Sequence, residues 1–179
     1  VESTAIVDDS FQIRQILDYK QQQKSFLLLQ LSGKQGRIYI GDDSRLSVIV
    51  SSPLKPVYAY INDAPERVAN FSDMSERKRI IMEKFLKHTD NGLGIITDAY
   101  RLPVFVLGPE RLLGHFKKIT KHNAAIIEYI AGNYHEASIP ELKELMAPHI
   151  HNWDKVRQRA LLQKIETAAG EKKLVLGLE

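Results

Sequence analysis

The 179-residue sequence has the composition of an ordinary folded domain, with 44% hydrophobic and 26% charged residues, and this excludes a largely disordered chain. It contains no cysteine, which excludes disulfides, thiolate metal sites and cysteine nucleophiles. No apolar run approaches the ~20 residues that a membrane-spanning helix needs, and the N-terminus lacks the layout of a signal peptide, so we expect a cytoplasmic protein. The net charge of +3 permits a polyanionic partner without requiring one.

The first half of the chain predicts three strands. Residues 1–24 are polar with a few apolar anchors and form an N-terminal lead-in. Residues 25–32, 35–40 and 45–52 then combine apolar and β-branched side chains, with turns at Gly33 and at 41–44. Such short turns favour an antiparallel meander of three strands, which Pro53 and Pro56 would end.

A connection and a helix follow the meander. Residues 57–71 have no sustained period and predict an exposed loop. Ser72 or Ser75 can then cap a helix that runs to about His88 and is closed by residues 90–94. On this helix Ile81, Met82, Phe85 and Leu86 form an apolar side, opposite the basic Arg79, Lys84 and Lys87.

Residues 102–133 predict a strand, a helix and a second strand. The apolar run 102–107 ends at Gly108, and Pro109 suits the first position of a helix. Leu112, Leu113, Phe116 and Ile119 recur at helical spacing, and residues 124–130 form the next apolar run. A crossover of this length favours parallel pairing of the two strands, in which Phe105 is expected to be buried.

Two further helices are expected near the C-terminus. Ser138 and Glu141 form a capping box for a short helix that Pro148 would end. Asn152 can cap a final helix that Gly170 stops. On that helix five residues are spaced to pack: Trp153, Val156, Ala160, Ile165 and Ala168.

This order of elements predicts a ribonuclease H-like α/β fold, a mixed sheet covered by helices, in which an antiparallel three-strand meander is joined to parallel βαβ strands. We divide the chain into the lead-in 1–24, an α/β domain 25–150, and a C-terminal helix with a lead-in to a following domain, 151–179. The missing initiator methionine suggests that the chain is a piece of a longer protein.

No residue pattern predicts catalysis, a cofactor or a metal. A ribonuclease H-type nuclease needs carboxylates at strand ends, and the first strand has none. His149, His151 and Asp154 contain metal-ligand chemistry, but a polar turn between helices explains them better. The glycines match neither a Walker A loop nor a dinucleotide-binding motif, and no serine lies in a nucleophile elbow.

Basic residues cluster better than any catalytic type. We predict that eight of them contact RNA phosphates, the alternative being an ordinary solvated helix surface. The eight are Arg77, Lys78, Arg79, Lys84, Lys87, Lys117, Lys118 and Lys121.

Several segments resemble the middle domain of the bacterial relatives of archaeo-eukaryotic peptide-chain release factors. FLLLQLS followed by GRIYIGD is similar to that family's opening hairpin, and PVFVLGPERLLGHFKKI to its strand, glycine and helix. AIIEYIAGN with SIPELKEL resembles the last strand and the helix behind it. KIETAAGEKKLVLGL looks like the helix that leads into the family's third domain.

One departure from the family pattern matters for function. Release factors proper carry Gly-Gly-Gln in the loop before the first long helix, where it promotes peptidyl-tRNA hydrolysis. The corresponding residues 60–72, YINDAPERVANFS, contain no such motif. The resemblance therefore implies a translation-factor-like domain to which no catalytic residue can be carried over.

Three functions follow from these observations. The first is a non-catalytic domain of a larger release-factor-like protein, associated with the ribosome, tRNA or another structured RNA. The second is a protein interaction or dimerisation module that uses the final helix, with Trp153 and Val156. The third, peptidyl-tRNA hydrolysis through an unconventional loop, is the enzymatic alternative.

Overall fold

The computed structural model describes residues 25–33, 35–42, 44–49 and 74–170. Within these ranges the chain forms five strands and three helices. In chain order they are β1 (Phe26–Leu31), β2 (Gly36–Gly41), β3 (Leu46–Val48), α1 (Met74–Tyr100), β4 (Val104–Gly108), α2 (Glu110–Ile119), β5 (Ile126–Ala131) and α3 (Ile139–Gly170).

The strands form one mixed sheet in the order β3-β2-β1-β4-β5. β1 pairs antiparallel with β2, and β2 with β3, which confirms the predicted meander. β4 pairs parallel with both β1 and β5, which confirms the predicted βαβ unit. The fold is therefore the expected ribonuclease H-like mixed α/β arrangement.

β1 lies in the middle of this sheet, and its sequence FLLLQL is buried at all six positions. Successive side chains of a strand point to opposite faces, so a strand covered on both faces is apolar at most positions, here at all but Gln30. Leu27 and Leu29 enter the core on one face, whereas Phe26 and Leu28 enter the core on the other. The sheet is consequently the middle layer of three.

α1 and α2 cover the first face. Phe85 and Leu86 of α1 and Leu113 and Phe116 of α2 are buried against the leucines of β1. Their spacings of one and three residues keep them on the inward side of each helix. The predicted apolar sides of both helices are confirmed.

α3 covers the second face. Met146 and Ile150 are buried there. The ring of Phe105, which is fully buried as predicted, makes edge-to-face contacts with Phe26 and Trp153 at centroid distances of 5.7 and 6.2 Å. The aromatic contact with Trp153 joins the core strand β4 to the middle of α3.

α1 is longer than predicted, because residues 90–94 do not end it. The carboxylate of Asp90 accepts a hydrogen bond from Thr120 Oγ1 at 2.5 Å, and a Cβ on Gly94 would lie only 2.6 Å from His122 Nε2. These residues serve a tertiary contact with the turn after α2. The helix ends beyond Tyr100, where Arg101 has a left-handed φ of 52° and donates its N–H to Thr97 O.

α3 is one continuous helix, so the predicted break at Pro148 and the predicted cap at Asn152 are wrong. Proline removes one backbone donor and usually ends a helix. Here Met146 and Ile150 are both buried against the sheet, two residues before and after the proline. Their burial on either side of Pro148 offsets the lost hydrogen bond.

The second half of α3 does not pack as predicted. Val156, Ala160 and Ile165 are exposed, and within this set only Trp153 and Ala168 are partly buried. Every residue from 155 to 167 is exposed, so α3 extends beyond the layer that it forms.

The capping box is confirmed: Glu141 Oε2 accepts from the Ser138 N–H at 2.7 Å and from its hydroxyl at 2.8 Å. Pro109 precedes α2 as its N-cap residue rather than being its first helical residue. The lead-in 1–24, the chain from 50 to 73 and the tail 171–179 lie outside the described residues, and the division into three segments stays a prediction. No helix in the described part of the chain is long and apolar enough to cross a membrane.

Candidate nucleic-acid interface

The eight predicted RNA-binding residues lie on α1, on α2 and on the turn that follows α2. All belong to elements on one side of the sheet, away from α3. Seven of them are exposed, and Lys84 is half-buried. We refer to these eight residues as the basic surface.

Most of the basic residues on α1 lie in its N-terminal part, before the helix enters the core. From residue 77 onwards full burial begins at Phe85, and Arg77, Lys78 and Arg79 before it are exposed on successive sides of the helix. Lys84 is seven residues after Arg77 and lies nearly in line with it. Arg79 points in the same direction as the buried Leu86, not opposite to it as predicted, and is exposed because it precedes the core.

One described ion pair occupies part of this cluster. Lys87 Nζ lies 2.7 Å from Glu83 Oε1, one helical turn away, and both side chains are substantially exposed. Pairs of this kind contribute only a few tenths of a kcal/mol in water, ~0.3–0.5. Lys87 can therefore exchange this partner for a phosphate at little cost.

On α2 the basic residues lie in the last turn. Lys117 and Lys118 are exposed there, and a positive charge at this end is favoured by the helix dipole. Lys117 Nζ also lies 5.5 Å from the centre of the Tyr129 ring. Burial, followed by the nearby charge of Asp90, raises the pKa of Tyr129, so its hydroxyl stays protonated and donates to Asn123 Oδ1 at 2.9 Å.

Asp90 connects the two basic clusters. Its carboxylate is buried, 2% exposed, and accepts from Thr120 Oγ1 at 2.5 Å and from the Lys121 backbone N–H at 3.1 Å. Lys87 lies one turn before Asp90 on α1, so Lys87 and Lys121 flank the same contact, whereas Arg77, Lys78 and Arg79 lie about three turns earlier. His122 Nε2 is 4.0 Å from the second carboxylate oxygen.

Arg111 was not among the predicted residues. It is exposed on α2, four residues before the exposed His115 and seven before Lys118. Residues at this spacing share one side of a helix, so Arg111 extends the basic surface towards the start of α2. The same spacing rule, applied to the sequence, would have found it.

The His149, His151 and Asp154 cluster lies inside α3 and not in a turn between helices, so that prediction is wrong. His149 Nδ1 is 3.0 Å from Glu128 Oε1 on β5, whereas His151, two residues further, points to another side of the helix. In the part of the chain that the structure describes, no group of three metal-binding side chains is assembled.

The polar residue of β1 is Gln30, so this strand offers an amide and not the carboxylate that a ribonuclease H-type nuclease needs. Its amide oxygen accepts from Tyr39 Oη at 2.9 Å, and its amide nitrogen donates to the backbone carbonyl of Tyr134. Both polar ends of this buried side chain are thus satisfied within the protein. Gln30 therefore ties the segment after β5 to the sheet.

These features define the chain as a ribonuclease H-like α/β domain with cations gathered on one helical layer. The family model of the bacterial archaeo-eukaryotic release factor family 3 matches residues 25–179, so the chain belongs to that family. This confirms the resemblance.

The chain was also compared with solved structures and with curated proteins. A solved structure described as "Archaeal protein" is similar, with a TM-score of 0.44 and 15% identity over 95% of this chain. The match covers 48% of that structure, so this chain spans about half its length. No curated protein matches the sequence.

Proposed function

We propose that this chain is a non-catalytic, translation-factor-like domain that binds structured RNA of the ribosome or of tRNA through the basic surface. The observation that carries the proposal is that Lys87 on α1 and Lys121 after α2 lie on either side of the contact at Asp90. Asp90 holds the backbone of Lys121 against α1, and cations whose backbone is already positioned lose less freedom when they bind.

Counterion release supplies the affinity. Exposed cations gain little by pairing with neighbouring carboxylates, but each phosphate that they neutralise releases bound counterions. If the surface makes about four phosphate contacts, the logarithm of the affinity should fall with the logarithm of the salt concentration with a slope of about −3 to −4.

The test is fluorescence anisotropy with a labelled tRNA over a salt series. Each single change among Lys117→Ala, Lys118→Ala and Lys121→Ala should lower the slope by just under ~1 without changing sequence preference. Lys143→Ala is the matched control, because Lys143 is an exposed lysine on α3, across the sheet. Absence of binding at low salt, or binding that survives neutralisation of all eight cations, would refute the proposal.

The domain is proposed to lack hydrolytic activity because residues 60–72 contain no Gly-Gly-Gln. Charged tRNA incubated with the protein should release amino acid at the background rate. Release above background that disappears when residues in this loop are mutated would support peptidyl-tRNA hydrolysis instead.

A protein interaction module is the second candidate function. It is favoured by apolar side chains in the second half of α3 that are at least half exposed, among them Leu161, Leu162 and Ile165. Binding to a protein partner would depend on these residues and not on the basic surface.

A further inference from the structure

The α3 extension, residues 155–170, leaves the domain as an exposed amphipathic helix. Its last described attachment is at Trp153, whose ring packs on Phe105 and carries the Arg157 guanidinium at 5.7 Å. Beyond that point Leu161, Leu162 and Ile165 are 50%, 59% and 51% exposed. Burying such side chains fully is favourable by ~1.5–3 kcal/mol each, so their exposure indicates an interaction surface.

These residues form one apolar stripe. Leu161, Ile165 and Ala168 follow each other at spacings of four and three, and Leu162 lies beside them. We call these four residues the apolar stripe. Val156 is equally exposed, but it precedes Leu161 by five residues and therefore points to another side of the helix.

Both borders of the apolar stripe are basic. Arg157 and Lys164, seven residues apart, follow one border, and Lys155 and Arg159, four apart, follow the other. Glu166, the one acidic side chain between 155 and 170, lies seven residues after Arg159 and so on the second border, which carries 2 − 1 = +1 against +2 on the first, or +3 for the extension. A second copy would bring like charges together along both borders, which disfavours self-association.

From this arrangement we infer that the α3 extension docks a helix of another protein, one whose apolar side is bordered by glutamate or aspartate. The four cations take the positions that in paired helices select partners by charge. The apolar stripe supplies the buried centre, and the cations select acidic partners over basic ones. This inference deepens the second candidate function and does not depend on RNA binding.

The test uses the full chain and two designed peptides of about three heptads, which share a leucine stripe and carry either glutamate or lysine along its borders. The glutamate peptide should bind in isothermal titration calorimetry, and the lysine peptide at least about tenfold more weakly. Changing Leu161, Leu162 and Ile165 together to glutamine should abolish binding. Val156→Gln, an equally exposed position on another side, is the matched control and should leave it unchanged.

Charge reversal distinguishes charge-specific recognition from non-specific hydrophobic binding. The double change Arg159→Glu and Lys164→Glu places one acid on each border and should shift preference to the lysine peptide. Neutralising Lys117, Lys118 and Lys121 should not affect peptide binding, so failure of the RNA proposal and failure of this one are distinguishable. Circular dichroism should show unchanged helix content, because every substituted residue is exposed.

Four outcomes would overturn the inference. They are equal binding of both peptides, no binding of either, a dimer in sedimentation that the glutamine variant abolishes, and binding to phosphatidylserine vesicles without binding to the glutamate peptide. The third would assign the stripe to a second copy of the chain, and the fourth to an anionic membrane surface.

Discussion

Replacing Asp90 with alanine should destabilise the protein substantially, although Asp90 lies in the middle of a helix where alanine is the better helix former. The substitution removes hydrogen bonds to Thr120 Oγ1 and to the Lys121 N–H. Hydrogen bonds to charged groups contribute about 1.5–3 kcal/mol each, or about 3–6 together. Alanine restores about 0.5–0.7 kcal/mol of helix propensity, which leaves a net loss of about 2.5–5 kcal/mol.

Asp98→Ala is the matched control for this prediction. Asp98 is on the same helix, two turns further on, and is exposed. Its replacement gains the same helix propensity and relieves a negative charge near the C-terminal end of α1, so stability should increase by about 1 kcal/mol. The difference between the two variants therefore isolates the tertiary contact.

Urea unfolding followed by far-ultraviolet circular dichroism measures both variants. The midpoint should fall for Asp90→Ala with little change in the dependence on urea. Combining Asp90→Ala with Thr120→Val should give less than the sum of the single losses, because both remove the same hydrogen bond. Amide exchange at Lys121 should also accelerate in Asp90→Ala. A difference below about 1 kcal/mol between Asp90→Ala and Asp98→Ala would refute the assignment of Asp90 as the contact that joins the helices.

Three further predictions concern other parts of the fold. Phe105→Ala should cost about 3–5 kcal/mol in urea unfolding, since the ring is fully buried between two other aromatic rings; a loss below about 1 kcal/mol would contradict that burial. Gly108→Ala should destabilise the protein by about 1–3 kcal/mol, because the added Cβ would lie 2.9 Å from the backbone oxygen of Leu31. Gly114→Ala should instead stabilise α2 by about 0.8–1 kcal/mol, because a Cβ there meets no neighbouring element within 4 Å. Equal effects at both glycines would be inconsistent with the packing. Hydrogen bonds from the side chain and backbone of Ser44 hold the pKa of Asp42 below its ordinary 3.8. The resulting stabilisation is present above that pH and is lost as the pH falls through the lowered pKa. Ser44→Ala should raise this pKa in an NMR titration, and an unchanged value would show that the hydroxyl does not contribute.

The sequence predicted the sheet well because its signals are local and strong. FLLLQL and VFVLG are apolar on both faces, as strands in the middle of a three-layer fold must be. The pairing directions followed from connection lengths, since short turns force antiparallel neighbours and a helical crossover permits parallel ones. The Ser138 capping box depends on side chains three residues apart and was predicted for the same reason.

The helix boundaries depended on contacts that no local pattern contains. Asp90 and Gly94 resemble a helix end, yet they are inside α1 because Thr120 and His122, some thirty residues later, occupy the space beside them. Pro148 resembles a stop, yet α3 continues because Met146 and Ile150 are buried on both sides of it.

For the candidate sites, the sequence alone determined which residues are charged or apolar and the helical spacing that groups them. Only the tertiary structure determined that Lys87 and Lys121 flank one contact at Asp90 and that the end of α3 leaves its apolar side exposed. The physical reason is one of magnitude. Helix propensities differ by about 1 kcal/mol or less among residues other than proline, and by about 3 kcal/mol for proline. Burying a single core side chain is favourable by about 1.5–3 kcal/mol, so one exceeds the other propensity differences and two together, as around Pro148, offset a proline.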